Sequence, residues 1–543
     1  MQLSKNVFML FPFFCVFPLF GQIMIDSTHE FTDSKFPIVI IDTQGNEIKD
    51  TPRVEAHMGI IFHENGARNS IQDDYDHYDG KIGIEYRGSS SASYPKKQYR
   101  LETIHDDGSN NNVSLLGMPK ENDWILYGPY NDQSLIRNVL MYELSNQIGR
   151  YAVRTAYCEL ILNGDYKGLY IFMEKIKRDK NRLDIAKLDA DDVAGDSLTG
   201  GYILKIDKYK GENNAWFVSA KYQYYQYHYP KPDEIQPEQA QYIQNFINHF
   251  ESVLLQPGNN AVQGFPEVID VPSFVDHFIL NEFSTNVDAY RISAYMFKNR
   301  DDKDGKLNAG PIWDMNLSLG KAFFYQDLYI TDRWSVDYNQ YRPGDGGVPR
   351  WWVTLRNDPY FMHQVYERWQ ELRATFLDLD TFFGTIDSHV DNIEEARIRN
   401  TLRWPEMEQS HDYATEINML KDWIEAHVIW MDDNLYDYGN NVVEKNDIAK
   451  PNTPEMVVNY PNPFNPETTI QYRLAQPSDV QLKIFSLEGQ EVQTIFTGLQ
   501  SQGLHQLQWN GINQNGIPVA SGVYMYQIQT HNQILRGRMN LVK

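Results

Sequence analysis

The sequence predicts an α+β fold followed by a small β-sandwich, and three observations carry that expectation. From residue 22 to about residue 235, apolar residues alternate with polar ones in short runs broken by NG, DG and GG turns. From about residue 235 onward, longer segments with helical spacing dominate. Near residues 445–458, EKNDIAKPNTPEMV carries two prolines and no apolar period, and short alternating runs return beyond it. A β-rich stretch followed by a helical one places a natural cleft between two lobes.

The elements follow in order. Residues 1–21, MQLSKNVFMLFPFFCVFPLFG, join Lys5 to an apolar run and a small-residue exit, the pattern of an export signal. A single membrane anchor is the alternative, but the run is shorter than the ~20 residues a spanning helix needs. No later segment reads as a span. Strands are expected in FPIVIIDTQGNEI, KIGIEYRG, KQYRLE, CELILNGDYKGLYIFMEKI and GGYILKIDK, and helices in EQAQYIQNFINHFESVLL, SFVDHFILNEF and MHQVYERWQELRATFL. These fill a first domain, 22–445. A linker is expected at 446–456 and the sandwich at 457–543, with strands Thr469–Leu474, Val480–Ser486, Leu504–Trp509 and Val523–Thr530. With 42% hydrophobic and 22% charged residues, the 543-residue chain has material for more than one core. Its net charge of -24, spread along the chain, argues against nonspecific binding to nucleic acid or anionic lipid. Cys15 would leave with the signal, so Cys158 stands alone and reads as packing on a strand.

Three stretches carry candidate chemistry. SFVDHFILNEFSTN (273–286) sets Phe274, Phe278 and Phe283 on one helical face, a buried helix stopping near Asn286. AYRISAYMFKN, DDKDG and KLNAGPIWDMN then read as a β-hairpin turning near Asp302, which brings residue 288 opposite about residue 316. Asp288, Asp314 and Asn316 meet at its end. Two apart on a strand, Asp314 and Asn316 would share a face where a divalent cation could take an oxygen from each. The alternative is that both only tie down the turn before LSLG. An EF-hand reading of Asp302, Asp304 and Gly305 fails, because Arg300 and Pro311 fill the first and twelfth ligand positions.

Upstream, YRGSSSASYPKKQYRLE (86–102) runs through Arg87, three serines, Lys96 and Lys97, where amides and basic side chains could surround phosphate. A solvated hairpin with surface lysines is the plainer account. Glu174, an acid on an apolar strand, needs a partner if buried, and a lysine from the preceding strands could supply it.

Taken together, RGSSSASYPKKQYRLE, DWILYGPYNDQSLIRNVLMYELS, GLYIFMEKIKRDKNRLDI, GGYILKID, NVDAYRISAYMFK and GPIWDMNLSLG resemble, in that order, the CotH kinase family, the spore-coat protein H group. The resemblance implies an atypical, bilobal protein-kinase-like fold that transfers phosphate from ATP, with Mg²⁺ or Mn²⁺, to Ser or Thr of another protein. It also implies roles: Lys97, or Lys96, as the phosphate lysine; Glu174 as its acidic partner; Asp288 as the catalytic acid; Asp314, helped by Asn316, on the metal; Arg87 on phosphate. Family members commonly have Asp at the place of Asn316, and Ser293 stands where a kinase-type loop often has Asn, so one held metal ion is expected. YPNPFNPETTIQYRL, KIFSLEGQEV and GIPVASGVYMYQI...GRMNLVK closely resemble the C-terminal sorting domain of type IX secretion cargo. That resemblance implies passage through the periplasm to a secreted or surface-attached state, with the secretion machinery as a partner. A catalytically silent kinase-fold scaffold, and a glycan-processing enzyme using Asp288 and Asp314, are the rival functions.

Overall fold

The computed structural model describes residues 22–208, 215–255, 264–321, 330–341, 347–408, 410–441, 454–460, 462, 464–474, 478–486, 489–501, 503–530 and 534–542. The expected leader, 1–21, and residues 446–453 of the expected linker lie outside the described residues. The chain divides into two units, Met1–Val443 and Glu444–Lys543.

In the first unit, seven strands close into a barrel in the order Thr155–Leu162, Asp165–Glu174, Asp123–Tyr127, Gln98–Thr103, Tyr78–Arg87, Val54–Ile61 and Ile38–Asp42. Closure is parallel, with Glu159 opposite Ile38 and Leu162 opposite Ile41, whereas the other neighbours are antiparallel. The period of two sends Val39, Met58, Ile82, Leu101, Leu126, Leu160 and Phe172 inward to one apolar core. It sends Ile125, Tyr127, Leu169 and Ile171 outward, into the large core shared with the helices. Cys158 is free and buried inside the barrel, where burial pushes its thiol up, as suits a packing residue.

A second, five-stranded sheet has the order Trp216–Val218, Tyr224–Tyr229, Tyr202–Ile206, Ala294–Lys298, Leu307–Ala309. The long helices Pro237–Leu254, Val271–Ser284, Pro359–Arg373, Leu379–Arg403 and Tyr413–Asn441 belong to the same unit. Asp270 caps the Val271–Ser284 helix by accepting from Ser273 N, and Thr285 ends it in the left-handed region, one residue before the expected stop. The expected hairpin is shorter than its alternation suggested. Only Ala294–Lys298 pairs with Leu307–Ala309, Met296 facing Ala309. Residues 287–293 form turns instead, with Tyr290 and Ser293 at positive φ.

The second unit holds a three-stranded sheet, Pro454–Tyr460, Thr468–Leu474 and Gly503–Trp509, and a four-stranded sheet, Glu491–Gln500, Ser478–Ser486, Gly522–Gln529 and Ile534–Leu541. Ile470 and Tyr472 of one sheet and Leu482, Ile484 and Ile528 of the other share one core with Trp509, which makes a sandwich. Its first strand starts at Pro454, inside the expected linker. No described helix is long and apolar enough to cross a membrane.

Candidate active site

Asp314 sits where the chain leaves the second sheet. Gly310 N donates to Tyr295 O at 2.9 Å, and four residues later Asp314 takes left-handed φ 60 and ψ 57 to open the short turn Met315–Leu317. A non-glycine residue in that region is strained, and such strain gathers at functional sites. The Asp314 carboxylate does not cap its own turn. Its N–H donates to the Tyr142 hydroxyl at 3.0 Å, and Trp313 lies between the Tyr142 ring, 6.2 Å away, and the Arg87 guanidinium, 5.7 Å away. Burial pushes the Asp314 carboxyl up to about 6; Arg87 draws it down, and the charges of Asp288 and Asp207 add to the rise.

Asp288 is brought to Asp314 by stitching between loops rather than by a β ladder. Val287 N donates to Leu317 O (3.3 Å) and Leu319 N to Ser284 O (2.6 Å), tying the two loops at both ends. The Asp288 side chain is 20% exposed and pairs with Arg291 at 3.3 Å. The expected meeting of Asp288 and Asp314 is therefore present, while its expected third member is placed differently. Because Asp314 is left-handed and residues 315–317 form a 3₁₀ turn, the strand alternation that put Asn316 on the face of Asp314 does not exist. Asn316 Nδ2 instead donates to Asn131 Oδ1 at 3.2 Å.

The loop is fixed from beneath by the stretch NDQSLIR. Arg137, 2% exposed, donates from Nε to Ser318 O (3.0 Å), from Nη2 to Leu319 O (3.3 Å) and from Nη1 to Asp132 (2.6 Å) and Glu416 (2.8 Å).

The expected phosphate residues divide. Arg87 faces Asp314, whose charge raises its pKa against the larger lowering by burial. Its loop stays close, since the Asp314 charge also raises the Tyr94 hydroxyl, after burial. Gly88 is required there: its φ is +116, and an added Cβ would meet Ser91 Oγ at 2.1 Å. Lys97, however, donates to Ala92 O at 2.7 Å within that loop. Lys96 is 1% exposed and donates to Leu169 O and Asn400 Oδ1, both at 2.6 Å, so it joins the barrel to the Leu379–Arg403 helix and is closed to phosphate. Glu174 does have the partner its burial demanded, but the partners are arginines, Arg154 at 2.8 Å and Arg182 at 3.1 Å, and not a lysine. Among the described residues, no hydrogen bond or salt bridge joins it to Lys97.

Residues not singled out from the sequence complete the surroundings. Asp207 lies one residue beyond the pair Ile206–Ala294 and is salt-bridged to Lys205 at 2.9 Å. Tyr295 feels the charges of Asp207, Arg87, Asp314 and Arg100 beyond its burial, so these groups surround one aromatic ring. His228, stacked edge-on to Tyr295 at 5.2 Å, donates to Ile176 O at 2.8 Å; burial first, then Lys205, Lys175 and Lys177, bring its pKa to about 4. Lys175 is lowered by burial, with Asp123 opposing and Arg100, Lys177 and Arg53 adding to the fall. Arg87 thus acts on Asp314 and Lys205 pairs with Asp207, while Arg100 acts on Tyr295 and Lys175 on His228, whose rings touch. The signal was in the sequence, as MEKIK and KID, but lysines after a strand read equally as solvent-facing.

Among the described residues, no group of three or more His, Cys, Asp or Glu side chains could hold a metal ion by itself. The donor set still fits Mg²⁺, which is ordinarily held by one or two carboxylates together with substrate phosphates and water. Asp314 and Asp288 provide two carboxylates whose mutual repulsion a cation would relieve.

The Ig-like domain of FlgD matches residues 464–533. No curated protein matches. Solved structures with local likeness include dimeric latent PorU from Porphyromonas gingivalis, at 17% identity over 18% of this chain and 10% of that chain, TM-score 0.16. PorZ, a surface component of the type-IX secretion system of the same organism, shows 22% identity over 16% of this chain and 11% of its own, TM-score 0.13. The DNA glycosylase AlkC of Pseudomonas fluorescens shows 10% identity over 38% of this chain and 58% of its own, TM-score 0.14. The chain spans about a tenth of the PorU and PorZ chains, and TM-scores this low carry no argument about fold. The family model of the CotH kinase protein matches residues 84–431, which include Arg87, Asp288 and Asp314, and the chain belongs to that family.

Proposed function

We propose that the first unit is a kinase of exported proteins, transferring the γ-phosphoryl group of ATP to Ser or Thr hydroxyls. The observation that carries this reading is the stitching of the Asp288 loop to the Asp314 loop, with the Arg87 charge acting on Asp314. Asp314, with the Asp288 charge nearby, would hold Mg²⁺, or Mn²⁺; a bound divalent ion supplies charge neutralisation on the phosphate oxygens. Asp288, partly exposed, orients the acceptor hydroxyl and takes its proton. Arg87, steadied over Trp313, and Lys175 orient the phosphates, the role first assigned to Lys97. Asn316 braces the loop through Asn131. Most of the rate acceleration is then positioning and electrostatics.

The second unit is read as a type IX sorting domain, a β-sandwich address without chemistry, and the mature chain as secreted or surface-attached by way of the periplasm. Its support is the terminal sequence pattern together with the independent core of the sandwich. A second reading, a silent kinase-fold scaffold, is favoured by one observation: Lys97 and Glu174 make no pair. Incubation with labelled ATP, Mg²⁺ or Mn²⁺ and a panel of exported proteins, followed by mapping of modified residues, tests both. Transfer to Ser or Thr supports the kinase; no transfer and no Mg²⁺-dependent thermal shift with ATP supports the scaffold.

A further inference from the structure

A buried acid that the mechanism does not use lies behind the Asp288 loop. Glu282, near the end of the Val271–Ser284 helix, is 0% exposed, and donors from two other segments converge on its carboxylate. The Tyr290 hydroxyl (2.7 Å) and Val336 N (3.0 Å) donate to Oε1, and Ser335 N (2.5 Å) donates to Oε2. Burial pushes the carboxyl up to about 7, against the pull of those donors and of the Arg356 charge. Asp337 and Tyr341 stand close enough for charge to be felt among them. From the Tyr413–Asn441 helix, His427 spans the backbone carbonyls of Glu282 (2.8 Å) and Thr331 (2.7 Å).

The two segments are those that hold Asp288. Tyr290 follows it by two residues at φ 69, a left-handed conformation that a tyrosine keeps only under restraint from its surroundings. Ser335 and Val336 open the short turn Ser335–Asp337, which leads into Tyr338. The Arg291 guanidinium lies 4.2 Å over the Tyr338 ring and 3.3 Å from the Asp288 carboxylate. Two short routes therefore run from Glu282 to Asp288, one through Tyr290 and one through Val336, Tyr338 and Arg291. Packing alone is a poor reason for an acid here, because a charge withdrawn from water is costly and a neutral side chain of similar volume commonly serves stability as well. What the carboxylate supplies is an acceptor at both oxygens. An amide has one acceptor, and its NH₂ would face a donor.

We propose that Glu282 is a positioning residue for phosphoryl transfer, fixing Asp288 through Tyr290 on one side and through the 335–338 turn and Arg291 on the other. The effect on turnover rests on the kinase reading; the holding of the loop does not.

The test compares the full chain with Glu282→Gln, Tyr290→Phe and the double variant, in two arms. Without ATP, amide hydrogen exchange in Glu282→Gln should quicken about tenfold at residues 286–291 and 335–338. The unfolding temperature should stay within about 2 °C of the parent, since removal of a buried charge offsets the lost hydrogen bond. With ATP, Mg²⁺ and an acceptor protein from the labelling panel, kcat should fall about tenfold while the KM for ATP stays within about twofold, because Asp288 acts on the acceptor hydroxyl and not on the nucleotide. Tyr290→Phe should give part of that loss, and the double variant should lose less than the product of the two singles, as residues on one route do. The proposal is overturned if exchange at 286–291 is unchanged in Glu282→Gln, if kcat is unchanged in a parent that transfers phosphate, or if the single losses multiply. Should Glu282→Gln fail to fold, Tyr290→Phe, which deletes one hydroxyl, supplies both readings. A parent that transfers no phosphate removes the kinase reading instead, and the exchange arm then decides by itself whether Glu282 holds the Asp288 loop.

Discussion

Replacing Arg137 by Met removes the clamp under the Asp314 loop at nearly constant length. Five donated bonds go: two to the Ser318 and Leu319 carbonyls, and one each to Asp132, Ser134 and Glu416. The carboxylates left behind are 1% and 3% exposed, so they do not regain water. Breaking one side of a buried ion pair costs about 3–5 kcal/mol. Glu416 retains His411 at 2.7 Å and Lys321 at 3.5 Å, and Asp132 retains the Ser134 hydroxyl at 2.6 Å, which places the cost toward the lower figure. For a unit as long as Met1–Val443 the unfolding entropy is on the order of 0.9 kcal/mol/K, so the first-unit transition should fall by about 3–5 °C. The assay is thermal unfolding of the full chain, followed by tryptophan fluorescence, alongside phosphoryl transfer. Arg137→Lys, which keeps the charge but not the fork, should fall between Met and the parent. A shift below about 1 °C with transfer intact would refute the claim that this buried network fixes the loop.

Asp314→Asn should abolish transfer and weaken Mg²⁺-ATP binding, whereas Asp288→Asn should abolish transfer with nucleotide binding largely kept; labelled-phosphate transfer and a Mg²⁺-dependent ATP thermal shift separate the two. Lys175→Ala should raise the KM for ATP about tenfold while Lys97→Ala leaves it within about twofold, and steady-state kinetics giving the reverse order would restore Lys97. The Glu416 carboxyl is held at about 2, its burial outweighed by Arg137, Lys321 and His411. Its folded pKa is thus below the ordinary 4.5, so its stabilisation is present above pH 4.5 and lost as pH falls from there toward about 2. Denaturant titrations over that range should show a shallower pH slope in Glu416→Gln. Deleting residues 457–543 should leave the first unit folded but retained in the periplasm, read by circular dichroism and by fractionation; equal export would reject the sorting role.

The sequence made the layers legible because their apolar patterns are clear: a continuous apolar run in Ile38–Asp42, alternation in Tyr78–Arg87, and the Phe274, Phe278, Phe283 face of a helix. It could not show that the strands close, since closure depends on the pairing of Ile38 with Glu159, which no local pattern encodes. The meeting of Asp288 and Asp314 was legible because any return of the chain near Asp302 brings them together. Asn316 was misplaced because the left-handed turn at Asp314 is set by tertiary bonds to Tyr142 and Arg137, and the residues themselves read as extended. Lys96 and Lys97 were indistinguishable as letters. Packing separates them: one is held by Asn400, some three hundred positions away, and the other by its own turn.

The parallel seam between Ile38–Asp42 and Thr155–Leu162 also has a consequence for how the chain is made. The strand that emerges early finds Val54–Ile61 at once, but its other edge waits for a partner about 120 residues later, a long loop to close and a slow contact to form. Until then an apolar strand has an open hydrogen-bonding edge, the usual template for misassociation. A nascent chain halted before residue 155 would expose that edge for as long as it is held. A seam that completes only after most of the barrel has emerged delays the compact state, so the same pairing that seals the mature barrel also keeps the chain unfolded for longer while it is being made.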